Sequence, residues 1–151
     1  MTTLIGGGIS LSGIAEGDTI LTVKAGSASK QLPVSVYRNL FPRFTAAELS
    51  PVDDASYDVE YSGGTWKSLG GTSLSLEAGE YSLEDSEGFA AGGNIYFTLV
   101  SKSDAAVFLR TNDSGENKRK TKASLPAGEY TLTFACGKSF SGVVTPIIRK
   151  L

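Results

Sequence analysis

The sequence predicts an all-β fold: an antiparallel β-sandwich, jelly-roll-like, with at most one very short helix near residues 45–49. Three observations carry this expectation. The first is a repeated corner. Leu76-Glu-Ala-Gly-Glu-Tyr-Ser-Leu83 and Leu125-Pro-Ala-Gly-Glu-Tyr-Thr-Leu132 share Leu, Ala, Gly, Glu, Tyr and Leu at matching positions. Each copy reads as a strand that ends, turns at Ala-Gly and restarts with Tyr and Leu inward. The second is a succession of short runs alternating apolar and polar residues, bounded by Gly, Pro, Asn, Asp and Ser. The third is composition: 18 glycines in 151 residues exceed the roughly 7% of an average chain, and long apolar runs are few.

The elements follow in chain order. Residues 1–13, with Gly6, Gly7 and Gly8, are expected to form a flexible N-terminal arm. Residues 14–151 are expected to form one β-sandwich domain, within which 14–50 is a candidate oligomerisation or docking hairpin subregion. Thr19, Leu21 and Val23 alternate with Ile20, Thr22 and Lys24, and Leu32, Val34 and Val36 alternate with Pro33, Ser35 and Tyr37. Ala25-Gly26-Ser27 supplies a turn between them. Pro33 has no N–H to give a ladder, so the second run reads as an edge strand or as one that begins near Val34. Thr45 and Glu48 fit a capping box before one turn of helix that Pro51 would end.

From Tyr57 the alternation sharpens. Tyr57, Val59 and Tyr61 alternate with Asp58 and Glu60, and Gly63-Gly64 predicts a tight hairpin returning through Thr65–Leu69. Gly70-Gly71 predicts a further turn before Thr72–Leu76, so this region reads as a meander. Asp85–Gly93 is a polar loop. Ile95–Val100 and Ala106–Thr111 read as buried strands, Asn112–Asn117 as a loop, and Tyr130, Leu132 and Phe134 as one inward face. A closed barrel is the main structural alternative to the sandwich. Gly79 and Gly128 read as positions where the corner backbone excludes larger residues.

The chemistry-bearing residues exclude more than they suggest. There is no histidine and a single cysteine, Cys136. This removes the commonest proton shuttle and metal ligand, and any disulfide within the chain. Asp58 and Glu60 share a strand face but alternate with aromatics as a solvated face does. Glu84, Asp85 and Glu87 lack calcium-loop spacing. No Ser-Lys arrangement stands out around Lys67 or Lys102. No catalytic residue, metal or cofactor is therefore expected, and the protein is read as a non-enzyme. The first residues lack a basic segment followed by an apolar core, so no secretory signal is expected, and no run is long enough to span a bilayer. The net charge of −2 does not suit nucleic acid.

Three groups remain as candidate contact sites. Trp66, Tyr57 and Tyr61 are candidate ligand or interface aromatics, with a lid on the core as the alternative. Leu40, Phe41 and Phe44 form an apolar cluster rimmed by Arg38 and Arg43, which reads either as a docking surface or as a plug on the core. Lys118, Arg119, Lys120 and Lys122 form a short basic patch beside Asp113 and Glu116, suited to a solvated hairpin or an acidic partner surface.

The two Leu-x-Ala-Gly-Glu-Tyr-x-Leu corners resemble those of β-sandwich accessory virion proteins of tailed bacteriophages, and also those of non-catalytic carbohydrate-binding modules. The first resemblance implies a structural component in the virion, either capsid decoration or tail and baseplate. Its partners would be further copies of itself and a larger particle, without nucleic acid or membrane insertion. The second implies a glycan-binding or host-attachment module.

Overall fold

The computed structural model describes residues 16–53, 56–84, 94–113 and 118–151. The expected N-terminal arm and the loop Asp85–Gly93 lie outside the described residues. The fold is all-β and sandwich-like: among the described residues there are twelve strands and no helix. The chain divides into two compact units, with the boundary between Arg38 and Asn39.

The first unit contains a β-hairpin. Strand β1 (Gly17–Ala25) pairs antiparallel with β2 (Ala28–Val36), in a register running from Gly17 opposite Val36 to Ala25 opposite Ala28. The two-residue loop is Gly26-Ser27. Gly26 has φ +61°, whereas no described non-glycine residue has a positive φ. A positive φ at the first loop position alone is the type II′ pattern, which matches the twist of paired strands and favours glycine there. Pairing places Leu21, Val23, Leu32, Val34 and Val36 on one face. Asp18, Ile20, Thr22, Lys24, Gln31 and Pro33 lie on the other.

Among its described residues the second unit holds ten strands: β3 (Leu49–Pro51), β4 (Tyr57–Tyr61), β5 (Lys67–Leu76), β6 (Gly79–Glu84), β7 (Ile95–Ser101), β8 (Phe108–Arg110), β9 (Lys122–Leu125), β10 (Gly128–Cys136), β11 (Phe140–Val144) and β12 (Ile147–Lys150). They form a four-stranded sheet β5-β10-β7-β8 and two three-stranded sheets, β11-β4-β3 and β12-β6-β9. All pairings are antiparallel. A bridge between Arg110 and Lys120 links the β8 edge to the chain entering β9.

The repeated corners are the passages between sheets. The first leaves the four-stranded sheet at Leu76 and enters the β12-β6-β9 sheet at Gly79; the second makes the reverse journey from Leu125 to Gly128. They are also paired with one another, Gly128 opposite Leu76 and Gly79 opposite Leu125. In each, the tyrosine is buried and its hydroxyl donates to a carbonyl four residues back. Tyr81 Oη lies 3.0 Å from Glu77 O, and Tyr130 Oη lies 2.7 Å from Pro126 O. This satisfies a buried phenol while bracing the turn against the strand that follows.

Neither corner glycine adopts a left-handed φ. A methyl group at Gly128 would meet nothing within 4 Å, and one at Gly79 would meet the flexible end of Lys150. The expectation that these positions exclude larger residues is corrected accordingly. The corner is specified by its tyrosine and leucines.

Two expected turns are not turns. β4 and β5 are not a hairpin: β4 lies between β11 and β3, and β5 pairs with β10. The segment 62–66 instead carries the chain from one sheet to another. Gly63 makes room there for the Tyr61 ring, whose hydroxyl donates to Thr65 O at 2.6 Å. Gly70-Gly71 lies inside β5, which runs unbroken through it, with a register irregularity opposite Phe134 and Ala135. The glycines permit close approach: a Cβ at Gly70 would fall 2.8 Å from the Phe44 ring, and one at Gly71 would fall 2.6 Å from the Leu132 carbonyl oxygen. No helix forms at 45–49. Ala46 and Leu49 form a β-bridge, and Glu48 turns its carboxylate to Lys67 rather than back towards Thr45.

The core follows from period-two burial. Every second residue of β7 is buried, from Ile95 through Phe97 and Leu99 to Ser101; on β10, Tyr130, Leu132 and Phe134 are buried. The rings meet edge to face. Phe97 and Phe134 have centroids 4.7 Å apart, Tyr57 reaches Phe134 at 5.9 Å, and Phe41 reaches Phe97 at 5.5 Å. The Tyr57–Phe134 contact joins the β11-β4-β3 sheet to the four-stranded sheet.

Candidate interaction surfaces

The Leu40, Phe41 and Phe44 cluster closes one end of the core. Phe41 is buried, and Leu40 and Phe44 are half-buried against the core cluster. Asn39 draws this segment onto β12. Its Nδ2 donates to Pro146 O at 2.8 Å, and its Oδ1 accepts from the backbone N–H groups of Phe41 and Ile148 at 3.0 Å each. Arg38 and Arg43 are exposed. Asn39 carried no signal in the sequence as a clamp on β12, because the two partners that make it one, Pro146 and Ile148, lie more than a hundred residues away along the chain.

The structure separates the three candidate aromatics. Tyr57 is only 3% exposed, and its hydroxyl donates to Pro42 O at 2.7 Å. Burial pushes this phenol above its ordinary value, opposed by the Phe44 backbone N–H and by the charge of Arg43. Alternation along β4 places Tyr57 and Tyr61 on one strand face, yet the first ring enters the core and the second folds over its own loop. Trp66 is 62% exposed. Beside this loop, Glu60, Tyr61, Ser62, Ser139, Phe140 and Ser141 line an open cleft of about 440 Å³. The Ser141 hydroxyl donates to Glu60 Oε1 across it at 2.6 Å.

Of the basic residues, Lys118, Arg119, Lys120 and Lys122 are all exposed. The Arg119 N–H is held by Asp113 Oδ1 at 2.8 Å. Lys120 and Arg110 flank the Phe108 ring, with Lys120 Nζ 5.3 Å and the Arg110 guanidinium carbon 5.7 Å from its centroid. Sequence reading missed Arg110, which the strand bridge to Lys120 brings into the patch.

Cys136, Lys67 and Lys102 each have a partner. Cys136 is fully buried, its Sγ lies 2.7 Å from Lys138 O, and burial raises its thiol above the usual range. A buried thiol of this kind is a poor nucleophile. Lys67 pairs with Glu48, and Lys102 lies 4.0 Å from Glu129. Among the described residues, no group of three His, Cys, Asp or Glu side chains converges as metal ligands. No helix there is long and apolar enough to cross a membrane.

The hairpin also presents apolar side chains to solvent. Leu21, Val23, Val34 and Val36 are half-buried, Leu32 is exposed, and Ile20 on the opposite face is 61% exposed. Among the described residues no third strand pairs with either edge. Comparison with protein-family models, with curated proteins and with solved structures found no match to this chain.

Proposed function

We propose that the protein is a non-enzymatic assembly component that acts through protein–protein contacts, associating with copies of itself and seating on a larger particle. The observation that carries this reading is the hairpin Gly17–Val36. Among the described residues it is a two-stranded sheet whose apolar face holds no fully buried residue. Two strands alone are marginal in water, and an apolar strand face left partly open to solvent suits a contact surface. The corner resemblance to phage accessory proteins makes the virion, at the capsid or tail, the setting we favour. Sedimentation analysis over a wide concentration range tests the association, and co-sedimentation with capsids or tails tests the setting. A chain that stays monomeric into the millimolar range and joins no particle refutes the proposal.

A second reading, a carbohydrate-binding or host-attachment module, is favoured by the exposed Trp66 near the cleft of Glu60, Tyr61 and Ser141. An exposed indole beside polar groups suits stacking on a sugar ring. Glycan titration should then detect binding that Trp66→Ala abolishes. Binding that survives this change, or its absence across diverse glycans, removes the reading.

A further inference from the structure

We infer that the partner of the hairpin is a second copy of this chain, added edge to edge along β1 in an antiparallel register centred on Leu21. The inference rests on the assembly reading above and deepens it.

The two edges of the hairpin are not equivalent. Ala25 and Ala28 flank the two-residue loop and so form a hydrogen-bonded pair, after which bonded and non-bonded pairs alternate. Gly17, Thr19, Leu21, Val23 and Ala25 therefore bond inward to β2. Asp18, Ile20, Thr22 and Lys24 point their N–H and C=O groups outward. On β2 the outward set is Ser29, Gln31, Pro33 and Ser35, and Pro33 leaves a gap in the donors at its middle. The β1 edge is complete and the β2 edge is interrupted. Among the described residues no hydrogen bond to β1 comes from outside the hairpin.

The β1 edge is complementary to itself. With a two-fold axis through Leu21, Asp18 of one copy faces Lys24 of the other at both ends, and Ile20 faces Thr22. These residues belong to the outward set, so each of their backbone donors and acceptors finds a partner. Opposite charges directly across a sheet attract, and neither side chain is engaged in an ion pair among the described residues. On the other face, Thr19 meets Val23 and Leu21 meets its own copy, which extends the apolar surface of Leu32 and Val34 across four strands. Four strands with a shared apolar face exceed the threshold at which a sheet becomes independently stable. A register centred on Thr22 sets Lys24 against Ile20 and loses both charge pairs. One centred on Ile20 sets Lys24 against Glu16, which precedes β1.

Charge exchange tests the register. Asp18→Lys and Lys24→Asp alter exposed side chains, and each alone puts like charges opposite at both ends. Each variant should weaken the dimer by roughly tenfold or more. An equimolar mixture should recover wild-type affinity, because one interface end then pairs the two introduced charges and the other pairs the native ones. Recovery also excludes misfolding as the cause of the loss. In parallel, Leu21→Cys places two thiols across a non-hydrogen-bonded pair, where Cα atoms lie about 4.5 Å apart, within disulfide reach. Oxidation should give a covalent dimer, and Gln31→Cys on the β2 edge should not. An assembling wild type whose variants associate unchanged, without Leu21→Cys cross-linking, overturns this edge and leaves the assembly reading standing. Loss of association that the mixture fails to recover overturns the register. A monomeric wild type overturns both.

Discussion

The corner tyrosines should bear stability in two separable parts, the ring and the hydroxyl. Tyr130 is 1% exposed and Tyr81 is 2% exposed, and each sits where the chain passes between sheets. Replacing Tyr130 by Phe keeps the ring and removes one hydroxyl bond to Pro126 O. Pro126 is exposed, so its carbonyl regains water, and the loss should be the net value of one hydrogen bond, about 1 kcal/mol. Replacing Tyr130 by Ala also empties a fully enclosed ring site, which costs about 3–5 kcal/mol. Tyr81→Phe should match Tyr130→Phe within about 0.5 kcal/mol, because its bond to Glu77 O spans the same four residues. Urea denaturation followed by far-ultraviolet circular dichroism measures all three. A Tyr130→Ala cost near zero refutes the core assignment. A Tyr130→Phe cost as large as that of Tyr130→Ala refutes the division between ring and hydroxyl.

Other substitutions probe close approach and long-range clamping. Gly71→Ala should destabilise by about 1–3 kcal/mol, since its Cβ would lie 2.6 Å from the Leu132 carbonyl oxygen. Gly128→Ala, facing open space, should be neutral or stabilise by up to about 1 kcal/mol through the unfolded chain; thermal melts would show opposite or unequal shifts. Asn39→Ala should cost about 2–3 kcal/mol, as it strips the acceptor from the backbone N–H of fully buried Ile148, and faster amide exchange at Phe41 and Ile148 would locate the effect. At alkaline pH the sign is set by Tyr57, Tyr96, Tyr130 and Cys136, all raised first by burial. Their contribution is fully present below the unfolded values, 9.0 for the thiol and 10.0 for the phenols, and is lost as pH rises through the higher folded ones. The urea midpoint should therefore fall steadily above about pH 9, and a midpoint that rises there contradicts the assigned burial.

Local pattern was enough for the strands themselves. Tyr130–Phe134 alternates apolar and polar residues as a strand with one buried face does, Ile95–Val100 is apolar at all positions but Thr98 and reads as a buried strand, and the II′ turn at Gly26 needs only its neighbours. Glycine pairs misled because two physical reasons produce the same residue. Gly63 clears space for the Tyr61 ring, Gly70 for Phe44, and Gly71 for a neighbouring carbonyl, yet in sequence each reads as a turn. The Thr45/Glu48 capping pattern failed because Lys67 offered Glu48 a partner that no local rule contains.

The candidate sites divide in the same way. Trp66 is exposed, but Tyr57, two alternations from Tyr61, is drawn into the core by Phe134 and Pro42, so the expected group of three rings does not share a surface. Arg110 joins Lys120 only through pairing that local sequence does not encode.

By itself, then, the sequence determined the all-β class, the two alternating runs about the Gly26 turn, and the repeated corner, because alternation and turn chemistry act between residues a few positions apart. Tertiary structure decided which strands are neighbours, why each glycine is small, and that Asn39 clamps β12. Those outcomes depend on contacts between residues distant in the chain, whose free energy exists only once the sheets have met.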